Sequence, residues 1–487
     1  MSPKPMIRRV LWLAKAMVLG LSGTLPAWSF AGEFDRTTDM PRFDEPLRPQ
    51  FHFTSQTGYI NDPNGLFYLD GVYHLFFQRR TDSGKAWGHA TSTDLVRWTQ
   101  HDNAIWPQDG FQAYSGCAVV DWQNTSGFQT GEHPVVVAVF TSWGQGQSLA
   151  YSNDRGETWT RYEGNPVLRL PNDALKSYPL SARDPHVMWD AGRRRWAMVL
   201  YENLGSEVRE GVARDEQGGF SLFESADLKA WTRLSHVPGF YVCPDVFELP
   251  VEGEDARVWV AMDWEKYAVG RFDSTTFTPT TAMRPLDFGR PQALSANQTW
   301  KHLPDGRVVQ ICWIRGGKYP GMPFDQQLSF PTELTLRRIN DDLRLCKQPV
   351  AEIASLYGVV HEHNVMRVEP NQAVRIGGHT QSYDLEFELE LEPGAVVNFV
   401  VLGQSIAVSS DAVAVGDQTG RPIEPVRQMR VLADRTSIEI YINEGETTMT
   451  FTVLPPDETA EVAFRVDGGG TIELKRVAWR EVGSAWE

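Results

Sequence analysis

Cysteine is scarce in this chain: Cys117, Cys243, Cys312 and Cys346 are the only four in 487 residues, set far apart and never in a CxxC spacing. Paired-thiolate metal binding is left without support, and isolated cysteines in strand-like sequence are expected as buried thiols rather than a disulfide framework. Histidine is little richer at 11, and the close pair His361-Glu362-His363 has no third ligand in view, so neither a metal nor a redox cofactor is expected. Positive charge is also short. Against 62 Asp+Glu stand 46 Lys+Arg, a formal net charge of −16, and an acidic surface repels phosphate backbones, which argues against nucleic acid as a partner. Beyond the first 31 residues no stretch reaches the ~18 consecutive apolar residues of a membrane helix, so no membrane association is expected once that leader is removed.

Residues 1–31 carry Lys4, Arg8 and Arg9, then an apolar stretch from Val10 to Trp28, then Ser29-Phe30-Ala31, the pattern of a secretory signal. An amphipathic first helix or a membrane anchor is the alternative, opposed by Lys15, Pro26 and two glycines. Export places the mature protein outside the cell or in a periplasm. What the sequence does have is aromatic and turn-forming residues: 24 Phe, 17 Trp and 14 Tyr with 41 Gly and 30 Pro, a mixture that favours strands and turns over long helices. With 41% hydrophobic residues there is material for real cores, and the length suits two to four domains of a mainly β protein.

Three segments repeat a Ser, an Asp two residues on, and a Trp four or five residues after that Asp: Ser92-Thr93-Asp94 to Trp98, Ser152-Asn153-Asp154 to Trp159, and Ser225-Ala226-Asp227 to Trp231. A weaker echo runs from Asp273 to Phe277. Spaced repeats of this kind, each after a short apolar strand, suit β-propeller blades, with the Asp satisfying backbone donors in a tight turn and the Trp packing between blades. An array of β-sandwiches is the alternative. After Leu356 the texture changes to strict alternation, as in Tyr383-Asp384-Leu385-Glu386-Phe387-Glu388-Leu389, and strands flank an Asn443-Glu444-Gly445 turn. Period two means one buried and one wet face. The chain is therefore expected as all-β, a propeller over residues 45–350 and a C-terminal β-sandwich over 357–487.

Propellers carry their chemistry around the central channel, so carboxylates that open successive strands are the natural candidates. Asp62 in Tyr59-Ile60-Asn61-Asp62-Pro63-Asn64-Gly65 is the first, although Asp-Pro-Asn-Gly also makes a plain surface turn. Asp184 in Ala182-Arg183-Asp184-Pro185 is the second, with Arg183 beside it to hold a carboxylate ionised, or simply to form a solvated ion pair. Asp245 in Cys243-Pro244-Asp245 is the third.

Together these segments resemble glycoside hydrolase family 32, the invertases, levanases and inulinases that cleave β-fructofuranosides. Asn61-Asp62-Pro63-Asn64-Gly65 is similar to the family's nucleophile motif, Tyr114-Ser115-Gly116-Cys117 to its Phe-Ser-Gly-Ser segment, and Arg183-Asp184-Pro185 to the motif whose Asp binds sugar hydroxyls. Trp87-Gly88-His89, Gly164-Asn165-Pro166-Val167, Leu286-Asp287-Phe288-Gly289, Pro331-Thr332-Glu333-Leu334 and Ala433-Asp434-Arg435-Thr436-Ser437 follow in family order. The resemblance implies five blades and a sandwich, retaining hydrolysis with Asp62 as nucleophile, Asp184 as transition-state stabiliser, and Asn61, Gln78, Trp87, Ser115, Arg183 and Asp287 as substrate-binding residues. Its substrate would be a fructose-containing oligo- or polysaccharide.

Where the family has an acid/base Glu before Cys-Pro-Asp, this sequence has Val242. A valine gives and takes no proton, and loss of a general acid costs about 10²–10⁴-fold in rate. The loop after Gln78 is also short and basic, Arg79-Arg80-Thr81-Asp82-Ser83-Gly84-Lys85, and Pro291-Gln292-Ala293-Leu294 replaces the family's Tyr-Ala segment. Three readings follow. A glycosidase with a relocated proton donor would look to Glu202 or Asp245; the alternative for Glu202 is a loop carboxylate facing water, the commoner case. A variant takes a substrate whose leaving group needs little protonation, with Arg79, Arg80 and Lys85 receiving an anionic substituent. A furanoside-binding protein would keep Asn61, Asp62, Arg183 and Asp184 for hydroxyls and Trp87 for stacking. A propeller acting on arabinans or xylans fits the fold but not the motif at Asp434-Arg435.

Overall fold

A computed structural model describes residues 43–169, 182–203, 218–456 and 461–486. The leader reading at residues 1–31 lies outside the described residues. Seven antiparallel-rich sheets make up the described fold. Five of them are propeller blades whose first strands, Gly58–Leu69, Ala113–Asp121, Arg183–Asp190, Asp245–Pro250 and Leu294–Trp300, surround the channel. In blade I a short segment from blade V, Phe324–Asp325, pairs parallel to the start of the inner strand. The remaining two sheets, of six strands each, stack as the sandwich.

The repeated Ser-x-Asp turn does what its residues allow. Asp94 Oδ1 accepts the backbone N–H groups of Val96 and Arg97, and Asp227 Oδ1 those of Lys229 and Ala230. The Trp of each turn donates its indole N–H to the carbonyl three residues back: Trp98 to Leu95, Trp159 to Gly156 and Trp231 to Leu228. Its ring then meets the neighbouring blade. Trp98 stacks on Trp300 of blade V at 5.8 Å, and Trp159 of blade II meets Phe76 of blade I edge-on at 5.5 Å.

In the sandwich, Leu385, Phe387 and Leu389 point into a common core with Val431, Ile440, Phe464 and Val477. Asn443, Glu444 and Gly445 all adopt positive φ (48°, 57° and 80°) in the hairpin between Ser437–Ile442 and Thr447–Thr452. A second core runs across the junction, from Phe51, Leu75 and Trp300 of the propeller to Leu432, Tyr441 and Val482 of the sandwich. All four cysteines are buried free thiols.

One local device positions the channel side chains. The inner strands of blades I, II, III and V break register at the same place, between Ile60 and Pro63, Ala113 and Gly116, Arg183 and His186, and Ser295 and Gln298. A bulge adds a residue, twists the strand and re-aims its side chain. Asp62, Ser115 and Asp184 all fall inside these breaks. Gly65 follows the first: its φ is +58°, and an added Cβ would lie 2.7 Å from the Trp87 ring. Only glycine fits there.

Candidate active site

The bulged strand starts converge on a cavity of about 760 Å³ at the channel mouth. Asn61, Asp62, Gln78, Ser115, Arg183, Asp184 and Val242 are all on its wall. Side chains from blades I and II form a chain of hydrogen bonds there. Lys85 Nζ donates to Gln78 Oε1 at 2.6 Å, Gln78 Nε2 to Ser115 Oγ at 2.6 Å, and Ser115 Oγ to Asp62 Oδ2 at 2.6 Å. Asn61 Nδ2 donates both to Asp62 Oδ1 at 2.9 Å and to Gln78 Oε1 at 3.0 Å. Asp62 is thereby fixed by two side-chain donors, one on each oxygen. Burial lowers the Lys85 pKa, while the charges of Asp62 and Asp184 act to raise it.

Asp184 is held differently. Its backbone has a φ of 62°, a conformation costly for a non-glycine residue, and its N–H donates to Thr141 Oγ1 at 3.0 Å. Arg183 Nε lies 3.6 Å from its Oδ2, and the Cys243 backbone N–H reaches the same oxygen at 3.2 Å. Burial pushes the carboxyl up, Arg183 opposes it and Asp62 adds to it, leaving the pKa at about 6. The Cys243 thiol is raised well above its usual value, by burial first and by Asp184 and Asp62 next.

The blade IV side is built from backbone. Asp263 sits in the turn between Arg257–Met262 and Lys266–Phe272, and its oxygens accept the N–H groups of Tyr241, Glu265 and Lys266 at 3.0, 3.2 and 2.8 Å. Burial raises its pKa to about 6 against those three donors. Beside it, Val242 offers the cavity an apolar, buried side chain.

Four sequence expectations need correction. Trp87 is fully buried beneath Gly65 with its indole N–H on the Tyr114 carbonyl at 2.8 Å, so it offers no stacking face. Asp287 lies at the junction, accepting Thr450 N–H and the hydroxyls of Thr448 and Thr450 at 2.9–3.0 Å; it ties propeller to sandwich instead of binding in the cavity. Glu202 is off the cavity wall and paired with Arg233 at 2.6 Å. Asp245 is fully buried off the cavity wall, paired with Lys301 and accepting Thr299 Oγ1, the latter at 2.9 Å. Of the basic loop, Arg80 and Lys85 reach the cavity, whereas Arg79 turns to Thr57 and Asn103.

The sequence reading missed Tyr59, Trp143, Trp264, Glu265, Lys266, Trp313 and Arg315 as wall residues. Asp263-Trp264-Glu265-Lys266, a charged and aromatic turn between two apolar strands, was the available signal.

Carboxylates set among hydroxyl-seeking amides in a propeller channel, with a sandwich locked beneath, define a class: the propeller glycosidases. The family follows from comparison with known proteins. The chain belongs to glycosyl hydrolase family 32: its N-terminal domain description matches residues 52–349 and its C-terminal domain description residues 404–480. The chain is 31% identical to a levanase of Bacillus subtilis (strain 168), covering 92% of this chain and 72% of that one. It is 28% identical to the extracellular exo-inulinase inuE of Aspergillus niger over 91% of this chain and 96% of that one. The crystal structure of the exo-inulinase from Aspergillus awamori superposes with a TM-score of 0.78 at 25% identity, covering 91% of this chain and all of that one.

Proposed function

We propose that this protein is an exported retaining glycosidase of β-fructofuranosides, of the sucrose, levan or inulin type, in which Asp62 attacks the anomeric carbon. The observation that carries this reading is the state of Asp62: a carboxylate on the cavity wall, oriented by Ser115 and Asn61 through one bond to each oxygen. Fixed donors of this kind hold a nucleophile in line with its target without exhausting its lone pairs. Asp184, across the same cavity, takes ring hydroxyls and, once ionised, the positive charge that develops at the sugar. Asn61, Gln78, Ser115 and Arg183 complete the polar floor. Levanase and exo-inulinase relatives support a fructan as substrate, and the leader-like residues 1–31 support export.

Retaining chemistry also needs a proton for the departing oxygen when that oxygen is a sugar alkoxide. Val242 cannot supply it, and Glu202 and Asp245 are committed to Arg233 and Lys301. Asp263 and Glu265 are the wall carboxylates on the blade IV turn beside Val242, and Glu265 is the altered donor to test. Val242 favours a second reading, a furanoside-binding protein with slow turnover.

The test is release of free fructose from sucrose, inulin and levan by the mature protein beside its Asp62→Ala variant. Slow release that vanishes in the variant is expected. Equal release by both proteins contradicts the assignment of Asp62.

A further inference from the structure

The valine at 242 and the basic loop before Trp87 have one physical explanation. The mouth of the cavity carries two guanidinium groups, Arg80 over the Tyr59 ring at 4.4 Å and Arg315 near the Trp264 and Trp313 rings at 6.0 and 5.7 Å. Both are exposed. Among the described residues neither has a carboxylate within ion-pair distance, and Arg315 donates to the neutral Gln292 Oε1 at 2.5 Å. Tyr59, Trp313 and Trp264 meet edge to face at 6.4 and 6.1 Å, so the two cations flank one continuous aromatic wall. Deeper in the cavity, Lys85 brings a third cation into the hydrogen-bond chain of Asp62, its Nζ 4.5 Å from the centre of the Tyr114 ring.

The wall carries five cations, Arg80, Lys85, Arg183, Lys266 and Arg315, against the carboxylates of Asp62, Asp184, Asp263 and Glu265, and a neutral sugar calls for no guanidinium pair at the mouth. Guanidinium and ammonium groups favour an oxyanion ligand, and a carboxylate at 242 would add a further negative charge to the wall that meets it. An oxyanion of low basicity also leaves a carbon centre without help from a general acid. Resting on the Asp62 reading above, we propose that this pocket acts on fructofuranosides whose leaving group at the anomeric carbon is itself an oxyanion, with phosphate as the type.

The step balances without a protein acid. Asp62 forms a bond to the anomeric carbon while the bond from that carbon to the phosphate oxygen breaks, its electron pair going to the phosphate. A sugar phosphate monoanion already holds one proton, its second pKa being about 6, so it departs as HPO₄²⁻ with nothing transferred to it. Water then attacks the same carbon, Asp62 leaves as the carboxylate, and the proton from water passes to HPO₄²⁻.

Three substrates separate the possibilities: β-D-fructofuranose 2-phosphate, β-D-fructofuranosyl fluoride, whose leaving group needs no acid and is not an oxyanion, and sucrose, which leaves as an alkoxide. The expected result is Asp62-dependent turnover of the phosphate with kcat/KM at least about 10²-fold above sucrose. An Arg80→Ala/Arg315→Ala double variant should lower the preference for phosphate over fluoride about tenfold, and added KCl should erode that preference in the wild type. Asp62-dependent turnover of the fluoride with none of the phosphate would overturn the oxyanion proposal and leave the fructosidase reading standing. Sucrose turnover matching the phosphate, and abolished by Glu265→Gln, would overturn it in favour of a protein-borne donor. Inertness toward all three substrates would overturn both readings.

Discussion

Two buried aspartates, Asp62 in the channel and Asp434 at the junction, use similar partners for opposite ends. Asp434 is completely buried and accepts the backbone N–H groups of Gln50, Phe51 and His52 at 2.6, 2.9 and 3.0 Å, His52 Nδ1 at 2.8 Å and Ser382 Oγ at 3.3 Å. Asp62 retains 9% of its surface and has two side-chain donors. A carboxylate offers about four lone-pair positions, so Asp434 is saturated while Asp62 keeps capacity on the side of the cavity. The first is a joint and the second a reagent. His52 completes the joint: burial works against its charge, but Asp434 on one ring nitrogen and Glu439 on the other at 2.8 Å prevail and lift its pKa to about 9.

The contrast is broken most strongly at Asp62. Asp62→Ala should lower Asp62-type turnover, read with fructosyl fluoride, by about 10⁴-fold or more while moving the unfolding free energy by no more than about 1 kcal/mol. Asp434→Ala should do the reverse in denaturant titration, losing about 3–5 kcal/mol because His52 is left charged without its main partner, with kcat/KM of the folded fraction near wild type. A large activity loss in folded Asp434→Ala would dissolve the distinction.

Val242→Glu sharpens the comparison from the other wall. It should raise fructose release from sucrose or levan by about 10²-fold and weaken turnover of the 2-phosphate, both read from initial rates. No gain on sucrose would mean that the remodelling extends past one side chain.

Acidity separates the two aspartates again. The folded His52 pKa of about 9 exceeds the ordinary histidine value of 6.5, so its contribution to stability is complete below pH 6.5 and is lost as pH rises through 9. Melting temperature should fall across that window, and less so in His52→Gln. Activity on β-D-fructofuranosyl fluoride, which does not titrate in this range, should instead rise with pH through about 6 as Asp184 ionises, which a pH profile of kcat/KM checks. The smallest effect belongs to Ser115→Ala, about tenfold in kcat/KM for the loss of one charge-assisted bond to Asp62.

Much of this was legible in the sequence because it depends on neighbours in the chain. The Ser-x-Asp-to-Trp turn is closed by atoms within a few residues of each other, and Asp62 and Asp184 sit where a proline-marked strand begins. Trp87, Asp287, Glu202 and Asp245 were misplaced for the opposite reason. Each has its face or partner decided by a distant residue: Gly65 above Trp87, Thr448 and Thr450 around Asp287, Arg233 on Glu202, Lys301 on Asp245. The bulges that bring Asp62, Ser115 and Asp184 to one cavity also break the period-two pattern by which a strand's inward face is read.

The most direct measurement is intact-protein and peptide mass analysis after brief exposure to β-D-fructofuranosyl fluoride. With an oriented nucleophile and no carboxylate at 242 to activate water, the fructosyl ester should accumulate on the peptide containing Asp62, and added azide should discharge it faster than water does. Absence of that ester while the fluoride is consumed, or its appearance on another residue, would contradict the assignment of Asp62.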